Sequence, residues 1–185
     1  MILNKKIIEE EKKKLTSKDI KIITNFNKEK RDIHSYFRSI YFDGKIDFNL
    51  NELDGTLAHE LTHIKDYHLI KLILAGLLIF AFIIIVAIII LQFIKTNLNT
   101  FCTVAIILLV IIVSESVLYL TLSRQFERQA DEKAAERVGK VPVIRALEKI
   151  STWKEANKCD LTHDKPEKRI EHVKKLDLPD FIKIK

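Results

Sequence analysis

Two long apolar segments limit what this chain of 185 residues can fold into. Residues 72–94 include one strongly polar side chain, Gln92, and residues 101–122 include one charged side chain, Glu115. At about 1.5 Å per residue, each segment forms a helix of roughly 33 Å, long enough for the hydrocarbon core of a bilayer, about 30 Å. A soluble protein would need a large surrounding structure to cover two such helices, and this chain is too short to provide it. The sequence therefore predicts two transmembrane helices.

The short connection between these helices, residues 95–100, makes them a hairpin with both ends on one side of the membrane. Of the 31 Lys and Arg residues, 14 lie in 1–71, 16 lie in 123–185, and only Lys95 lies in the connection. Because positively charged segments stay in the cytoplasm, both polar parts are expected there. We predict a multi-pass protein of the cell membrane with two spans and both termini cytoplasmic.

The net charge of +6 does not indicate a nucleic-acid-binding protein, because acidic residues are interleaved with the basic ones along both polar parts. Attraction to anionic lipid headgroups explains the basic excess, so the lipid bilayer is the expected partner and nucleic acid is not. The two cysteines, Cys102 and Cys159, are predicted on opposite sides of the membrane, and no disulfide is expected between them.

The sequence His59-Glu60-Leu61-Thr62-His63 predicts a metal site on a helix. Two imidazoles four residues apart lie on one helix face and can bind the same ion, and this arrangement is typical of zinc. Glu60 lies beside that face, where it can take a proton from the attacking water and pass it to a leaving amine. The pattern therefore indicates peptide hydrolysis at one zinc ion per chain.

A catalytic zinc site needs a third protein ligand and one open position. His68 is one candidate. The known motif with a third histidine six residues after the second also needs a glycine that turns the chain out of the helix, but this chain has Asp66 and Leu69 at those two positions. Glu127 is the better candidate, because Glu127 and Asp131 are four residues apart on a second helix just after the predicted hairpin. Asp131 would then accept a hydrogen bond from a ligand histidine and fix its tautomer.

Local patterns predict the elements around these motifs. Residues 20–26 are rich in β-branched side chains and predict a strand. Residues 39–49 predict a β-hairpin, since the dipeptide Asp43-Gly44 favours a two-residue turn. The helix of His59 is expected to begin near residue 52 with Asn51 as its N-cap, and to continue into the first span. Further helices are predicted in 1–15, from 123 to Gly139, and over 142–157.

Three blocks resemble the integral-membrane zinc metallopeptidases that include HtpX and the CAAX prenyl endopeptidase, and they cover residues 57–63, 123–131 and 162–170. The resemblance implies the gluzincin type of site, with a substrate backbone that adds to the strand before the zinc helix. Two features differ from the family, namely Asp164 in place of a proline and the absence of an N-terminal membrane hairpin, so the chain resembles a minimal member. The implied zinc ligands are His59, His63 and Glu127, the general base is Glu60, the partner of a ligand histidine is Asp131, and the residues near the oxyanion are His163 and Arg169.

The predicted fold is a mainly α membrane protein in which a two-span hairpin, 72–122, is inserted in a small α+β gluzincin-like zinc peptidase domain formed by 1–71 and 123–185. The predicted function is cleavage of membrane-associated or misfolded polypeptides at the cytoplasmic face. The alternative is a regulatory membrane protein, a sensor or maturation factor, that keeps the fold with little proteolysis. The sequence leaves the oligomeric state open, a homo-oligomer included. It also leaves two interpretations of Glu115, a tolerated acid within the second span or a polar residue of a wet cleft toward the zinc.

Overall fold

The computed structural model describes residues 5–16, 19–93, 98–153 and 164–182. These segments form six helices and three strands: α1 (Lys5–Leu15), β1 (Lys21–Asn25), β2 (Asp32–Tyr36), β3 (Ser39–Asp43), α2 (Leu50–Lys65), α3 (His68–Phe93), α4 (Leu98–Val138), α5 (Lys140–Ser151) and α6 (Pro166–Lys174). The chain divides into two compact units, residues 1–69 with 124–185, and residues 70–123. The predicted helices in 1–15 and from 123 to Gly139, and the predicted strand in 20–26, are confirmed. Helix α1 is described from residue 5 onward, α4 is continuous through residue 123, and the other ends differ from the prediction by at most one residue.

The three strands form one small sheet in the order β1-β3-β2. β3 is parallel to β1 and antiparallel to β2, and Phe37 adopts a left-handed backbone conformation (φ 50°) in the tight turn between β2 and β3. The predicted hairpin within 39–49 is therefore wrong, because β3 ends at Asp43 and its antiparallel partner precedes it. Ile46 and Phe48 leave the sheet and are buried in the core instead of pairing as a strand.

Helix α2 begins two residues earlier than predicted. Asn49, and not Asn51, is its N-cap: the Asn49 side chain accepts a hydrogen bond from the Glu52 backbone N–H, and the Glu52 carboxylate accepts one from the Asn49 backbone N–H. This reciprocal capping box satisfies two backbone donors at the start of the helix. The prediction of Asn51 as the cap was therefore wrong by one half-turn of helix.

Helix α2 does not continue into α3, which corrects the prediction of one unbroken helix. The chain turns at Asp66 and Tyr67, where Tyr67 has a left-handed backbone conformation (φ 56°), and α3 starts at His68. A left-handed residue without glycine's freedom is uncommon and ends regular helical hydrogen bonding. The break changes the direction in which His68 leaves the chain relative to His63.

The core of the first unit has two neighbouring clusters that meet at α2. One cluster packs the sheet and α1 against one face of α2, and it includes Phe42, Phe48 and Leu57. The other cluster contains Ala58 together with Ala134 of α4 and residues of α5 and α6. The second cluster therefore links α2 to α4, α5 and α6 through small side chains.

Helix α5 begins directly after Gly139, whose positive φ of 91° would be strained for other residues. A Cβ at Gly139 would also lie 2.4 Å from the Asp180 carbonyl oxygen, so the C-terminal segment passes over this junction. Pro142 occupies the first turn of α5, where its missing N–H costs nothing. The helix predicted over 142–157 is thus observed from Lys140 to Ser151, and residues 154–157 lie outside the described residues.

The second unit consists of the apolar parts of α3 and α4. Within the described residues, these two helices are long and apolar enough to cross a membrane. Their large side chains are widely exposed, for example Leu78 at 72% and Phe80 at 62%. An exposed apolar surface of this extent is typical of a membrane or protein contact, and it is consistent with membrane localisation.

Candidate metal centre

Helices α2 and α4 bring together the three side chains that the sequence singled out as ligands. His59 Nε2 and His63 Nε2 are 3.1 Å apart. The Glu127 carboxylate oxygens lie 3.5 Å from His59 Nε2 and 3.3 Å from His63 Nε2. These three residues could hold a metal ion.

The spacing of these atoms suits a tetrahedral ion. With metal–ligand bonds of about 2.0–2.1 Å, neighbouring ligand atoms around a tetrahedral zinc ion are about 3.3–3.4 Å apart. The three observed separations lie within a few tenths of an ångström of that value. Two imidazoles and one carboxylate are also a donor set found in catalytic zinc sites, and a tetrahedral ion would keep a fourth position for water. The residues present therefore fit zinc.

Asp131 lies behind His59, one helical turn after Glu127 on α4. Its Oδ1 accepts a hydrogen bond from His59 Nδ1 at 2.9 Å, and its side chain is 1% exposed. This contact directs His59 Nε2 toward Glu127 and His63. It is the arrangement in which a carboxylate fixes the tautomer and the ring orientation of a ligand histidine.

Arg169 of α6 closes the back of the site. Its Nε and Nη2 donate hydrogen bonds to the two Asp131 carboxylate oxygens at 2.8 and 2.7 Å, and its Nη1 lies 3.4 Å from Glu127 Oε2. A bidentate pair of this kind fixes both partners in one plane. Arg169 is therefore directed at the two carboxylates of α4, whereas the sequence had suggested a place beside the oxyanion.

The charges around the site shift the pKa values of the two histidines in opposite directions. Burial lowers the pKa of His59, but hydrogen bonds to Asp131 and Glu127 outweigh burial and raise that pKa to about 10. Burial, and then the charge of His59, lower the pKa of His63 to about 3, which keeps its ring neutral. Burial also raises the pKa of Asp131, but Arg169 outweighs it and the pKa falls to about 2. The Asp131 carboxylate thus remains charged, and the ring of His63 remains neutral.

Glu60 is the fourth group of the site and lies between the two histidines in sequence. Its side chain is 7% exposed, and burial raises its pKa to about 7, although the charge of His59 and the Ser35 side chain lower it. Repulsion by the like charge of Glu127 adds to the rise in this pKa. A carboxyl group with a pKa near neutrality can both accept and return a proton, which is what general acid–base catalysis requires.

A model of one protein family matches most of the chain. The model of peptidase family M48 matches residues 22–177. The chain belongs to peptidase family M48. Membership supports a metallopeptidase, and it agrees with the resemblance to HtpX and the CAAX prenyl endopeptidase. No curated relative and no solved structure matches the chain.

The third block of the M48 resemblance is described only in part. His163 lies outside the described residues, so its predicted place near the active site stays a prediction. Asp164, which stands where the family pattern has proline, accepts hydrogen bonds from Arg128 Nε and Nη2 at 2.9 and 2.7 Å. This pair attaches the start of the third block to α4 one residue after Glu127, a contact that the sequence did not predict.

The sequence also did not predict the position of His68 or the strand whose Ser35 side chain approaches Glu60. His68 was considered as a third ligand, but its Nδ1 lies 3.0 Å from His63 Nδ1, on the side of that ring away from Glu127. The side chain of Ser35, in β2, approaches Glu60. The resemblance implied that a substrate backbone adds to the strand before the zinc helix, but that strand, β3, already pairs on both sides, and β2 forms the edge of the sheet.

Proposed function

We propose that this M48 protein is a zinc-dependent membrane endopeptidase that cleaves membrane-associated or misfolded proteins at the cytoplasmic face of the cell membrane. The observation that carries the proposal is the convergence of His59 Nε2, His63 Nε2 and the Glu127 carboxylate, with the buried carboxyl group of Glu60 beside them. The membrane part of the proposal is supported by two helices long and apolar enough to cross a bilayer.

The proposed roles follow from the chemistry of each group. A zinc ion held by the two histidines and Glu127 would supply Lewis acidity, which lowers the pKa of water and polarises a carbonyl group. Glu60 would accept the proton of the attacking water and return it to the leaving amine. Asp131 and Arg169 would hold His59 and Glu127 in position, so that their ligand atoms stay directed at one point.

The free edge of the sheet is the proposed place for the substrate backbone. β2 pairs only with β3 among the described strands, so its outer N–H and C=O groups can pair with an extended polypeptide. Ser35 of β2 approaches Glu60, which would bring a peptide on this edge close to the general base. Recognition through the backbone accepts many sequences, which suits a peptidase acting on unfolded segments.

The test is cleavage of casein by the full-length protein purified in detergent, with its zinc content measured in parallel. Glu60→Gln should keep zinc but cleave casein roughly 10²–10⁴-fold more slowly than the wild type, because the amide cannot accept the proton of the attacking water. Glu136→Gln, an exposed change on α4, is the control and should cleave like the wild type. Equal rates for Glu60→Gln and the wild type would contradict the proposed mechanism, whereas a zinc-loaded wild type without cleavage would support the regulatory alternative.

A further inference from the structure

The two histidines of the candidate centre have different partners on the ring side away from Glu127. His59 Nδ1 is hydrogen-bonded to the Asp131 carboxylate at 2.9 Å. His63 Nδ1 lies 3.0 Å from the Nδ1 atom of His68. His68 is 1% exposed and its ring stacks on Phe126, with centroids 4.7 Å apart and planes 12° apart. Phe126 directly precedes Glu127, so α4 fixes both the ring of His68 and the carboxylate that faces His63.

This contact depends on the break between α2 and α3. Residues five apart on a regular helix differ by about 140° in direction and cannot place their rings against each other. Tyr67 interrupts the helix with its left-handed conformation, and His68 thereby reaches back to His63. An uncommon backbone conformation at a non-glycine residue is thus linked to one specific side-chain contact beside the site.

The hydrogen-bonding capacity of imidazole fixes how the protons are arranged. If His63 uses the lone pair of Nε2 for a metal ion, its proton lies on Nδ1, which donates to His68 Nδ1. His68 then carries its own proton on Nε2, and that atom lies 3.8 Å from Asp66 Oδ2. Lys133 of α4 donates a hydrogen bond to the same Asp66 oxygen at 2.6 Å. The negative charge of Asp66 favours this tautomer of His68.

We propose that His68 is a positioning residue of the metal centre. Its Nδ1 accepts a hydrogen bond from the Nδ1–H group of His63 and thereby holds Nε2 of His63 toward the metal. Asp66, fixed by Lys133, supports the tautomer of His68 that can do so. The inference rests on the ligand role of His63 proposed above. His68 is not a fourth ligand in this arrangement, because its nearest nitrogen contacts Nδ1 of His63 while Nε2 of His63 faces Glu127.

Two substitutions separate the hydrogen bond from the packing. His68→Phe keeps a ring that can stack on Phe126 but removes both nitrogens. His68→Asn removes the ring but places an amide oxygen near the position of Nδ1, where it can accept the His63 proton. We expect His68→Phe to weaken zinc binding by roughly 10–100-fold and His68→Asn to restore most of the affinity. His172→Phe, which removes a histidine paired with Glu132, is the control and should bind zinc like the wild type.

The measurements are the zinc dissociation constant by chelator competition and the visible spectrum of the cobalt-substituted protein, which reports the ligand geometry. His68→Phe should alter the cobalt bands, and His68→Asn should return them toward those of the wild type. An unchanged dissociation constant and spectrum in folded His68→Phe would overturn the proposal. Equal weakening by both substitutions would also overturn it, because ring packing and not the proton acceptor would then be responsible.

If His68→Phe does not fold, nitrogen NMR of the zinc-loaded wild type still decides the question. The expected result is a proton on Nδ1 of His63 and on Nε2 of His68, and any other pair of tautomers would overturn the proposal. Failure of the metal centre itself is recognised separately with His63→Ala. If that variant bound zinc as tightly as the wild type, the proposed ligand set would be wrong, whatever the behaviour of His68.

Discussion

Replacing Asp131 with asparagine tests how α4 and α6 support the metal centre. Asp131 accepts hydrogen bonds from His59 Nδ1 at 2.9 Å and from Arg169 at 2.7 and 2.8 Å, and it is 1% exposed. Asparagine has nearly the same shape, but it loses the charge and turns an N–H₂ group toward donors that need an acceptor. The change therefore removes the charge pairing while leaving the packing in place.

The magnitude follows from burial. Leaving a buried charge without its partner costs about 3–5 kcal/mol. Arg169 keeps its approach to Glu127 at 3.4 Å, so we expect the lower end, about 3 kcal/mol, in the free energy of unfolding. Loss of the hydrogen bond that orients His59 should weaken zinc binding by roughly 10–100-fold. Combining Asp131→Asn with Arg169→Gln should cost less stability than the sum of the single changes, because the double variant leaves no unpaired guanidinium.

The assay is denaturant unfolding of the full chain in detergent micelles, together with chelator competition for zinc. Asp19→Asn, at an exposed aspartate before β1, is the matched control and should change neither quantity. A zinc dissociation constant within twofold of the wild type and an unchanged unfolding midpoint for Asp131→Asn would refute the reasoning. The pair with Arg169 would then contribute no more than an exposed salt bridge does.

Three further predictions concern the core, the packing of α2 and the topology. Burial first, and then a neighbouring carboxylate of α1, raise the pKa of Asp54 from 3.8 to about 7. Because the pKa of Asp54 is raised in the folded state, its carboxyl group does not affect stability below about pH 4 and lowers the free energy of unfolding as the pH rises toward 7. The pKa difference sets an upper limit of about 4 kcal/mol on this loss, and partial exposure of the side chain reduces it to about 1–2 kcal/mol. Asp54→Asn should therefore raise the free energy of unfolding at pH 8 and leave it unchanged at pH 4, and equal effects at both pH values would contradict this. Gly55→Ala should destabilise the protein by about 1–3 kcal/mol in thermal unfolding despite alanine's helix propensity, because its Cβ would lie 2.3 Å from the Pro142 carbonyl oxygen. A stabilised variant would contradict this prediction, because α2 and α5 would then have moved apart at little cost. An impermeant maleimide applied to intact cells should label Cys102 in a Cys159→Ser variant but not Cys159 in a Cys102→Ser variant, and the reverse result would invert the proposed topology.

Helical spacing allowed the sequence to predict which side chains come together as possible metal ligands. His59 and His63, and likewise Glu127 and Asp131, are four residues apart, so a helix places each pair on one face whatever the rest of the fold does. In the structure, the two helices bring His59, His63 and Glu127 together as a group that could hold a metal ion. Spacing could not predict contacts between residues distant in sequence, such as the pairing of Arg169 with Asp131, which are 38 residues apart.

The errors occurred where a local signal competed with tertiary packing. The dipeptide Asp43-Gly44 favours a hairpin, but burial of Ile46 and Phe48 in the core removes residues 45–49 from the sheet. A polar segment from 52 to 71 reads as one helix, yet Tyr67 breaks it and His68 turns back to His63. Neither outcome is visible in periodicity, because both depend on residues distant in space.

The measurement that tests the central claim most directly is the zinc content of the purified protein with and without Glu127. The matched variants are Glu127→Ala and Glu136→Ala, which remove carboxylates nine residues apart on the same helix, one facing the histidines and one exposed. We expect about one zinc ion per chain in the wild type and in Glu136→Ala, and none in Glu127→Ala after dialysis, because two histidines alone bind zinc weakly. Retention of one zinc ion per chain by Glu127→Ala would contradict the proposed metal centre.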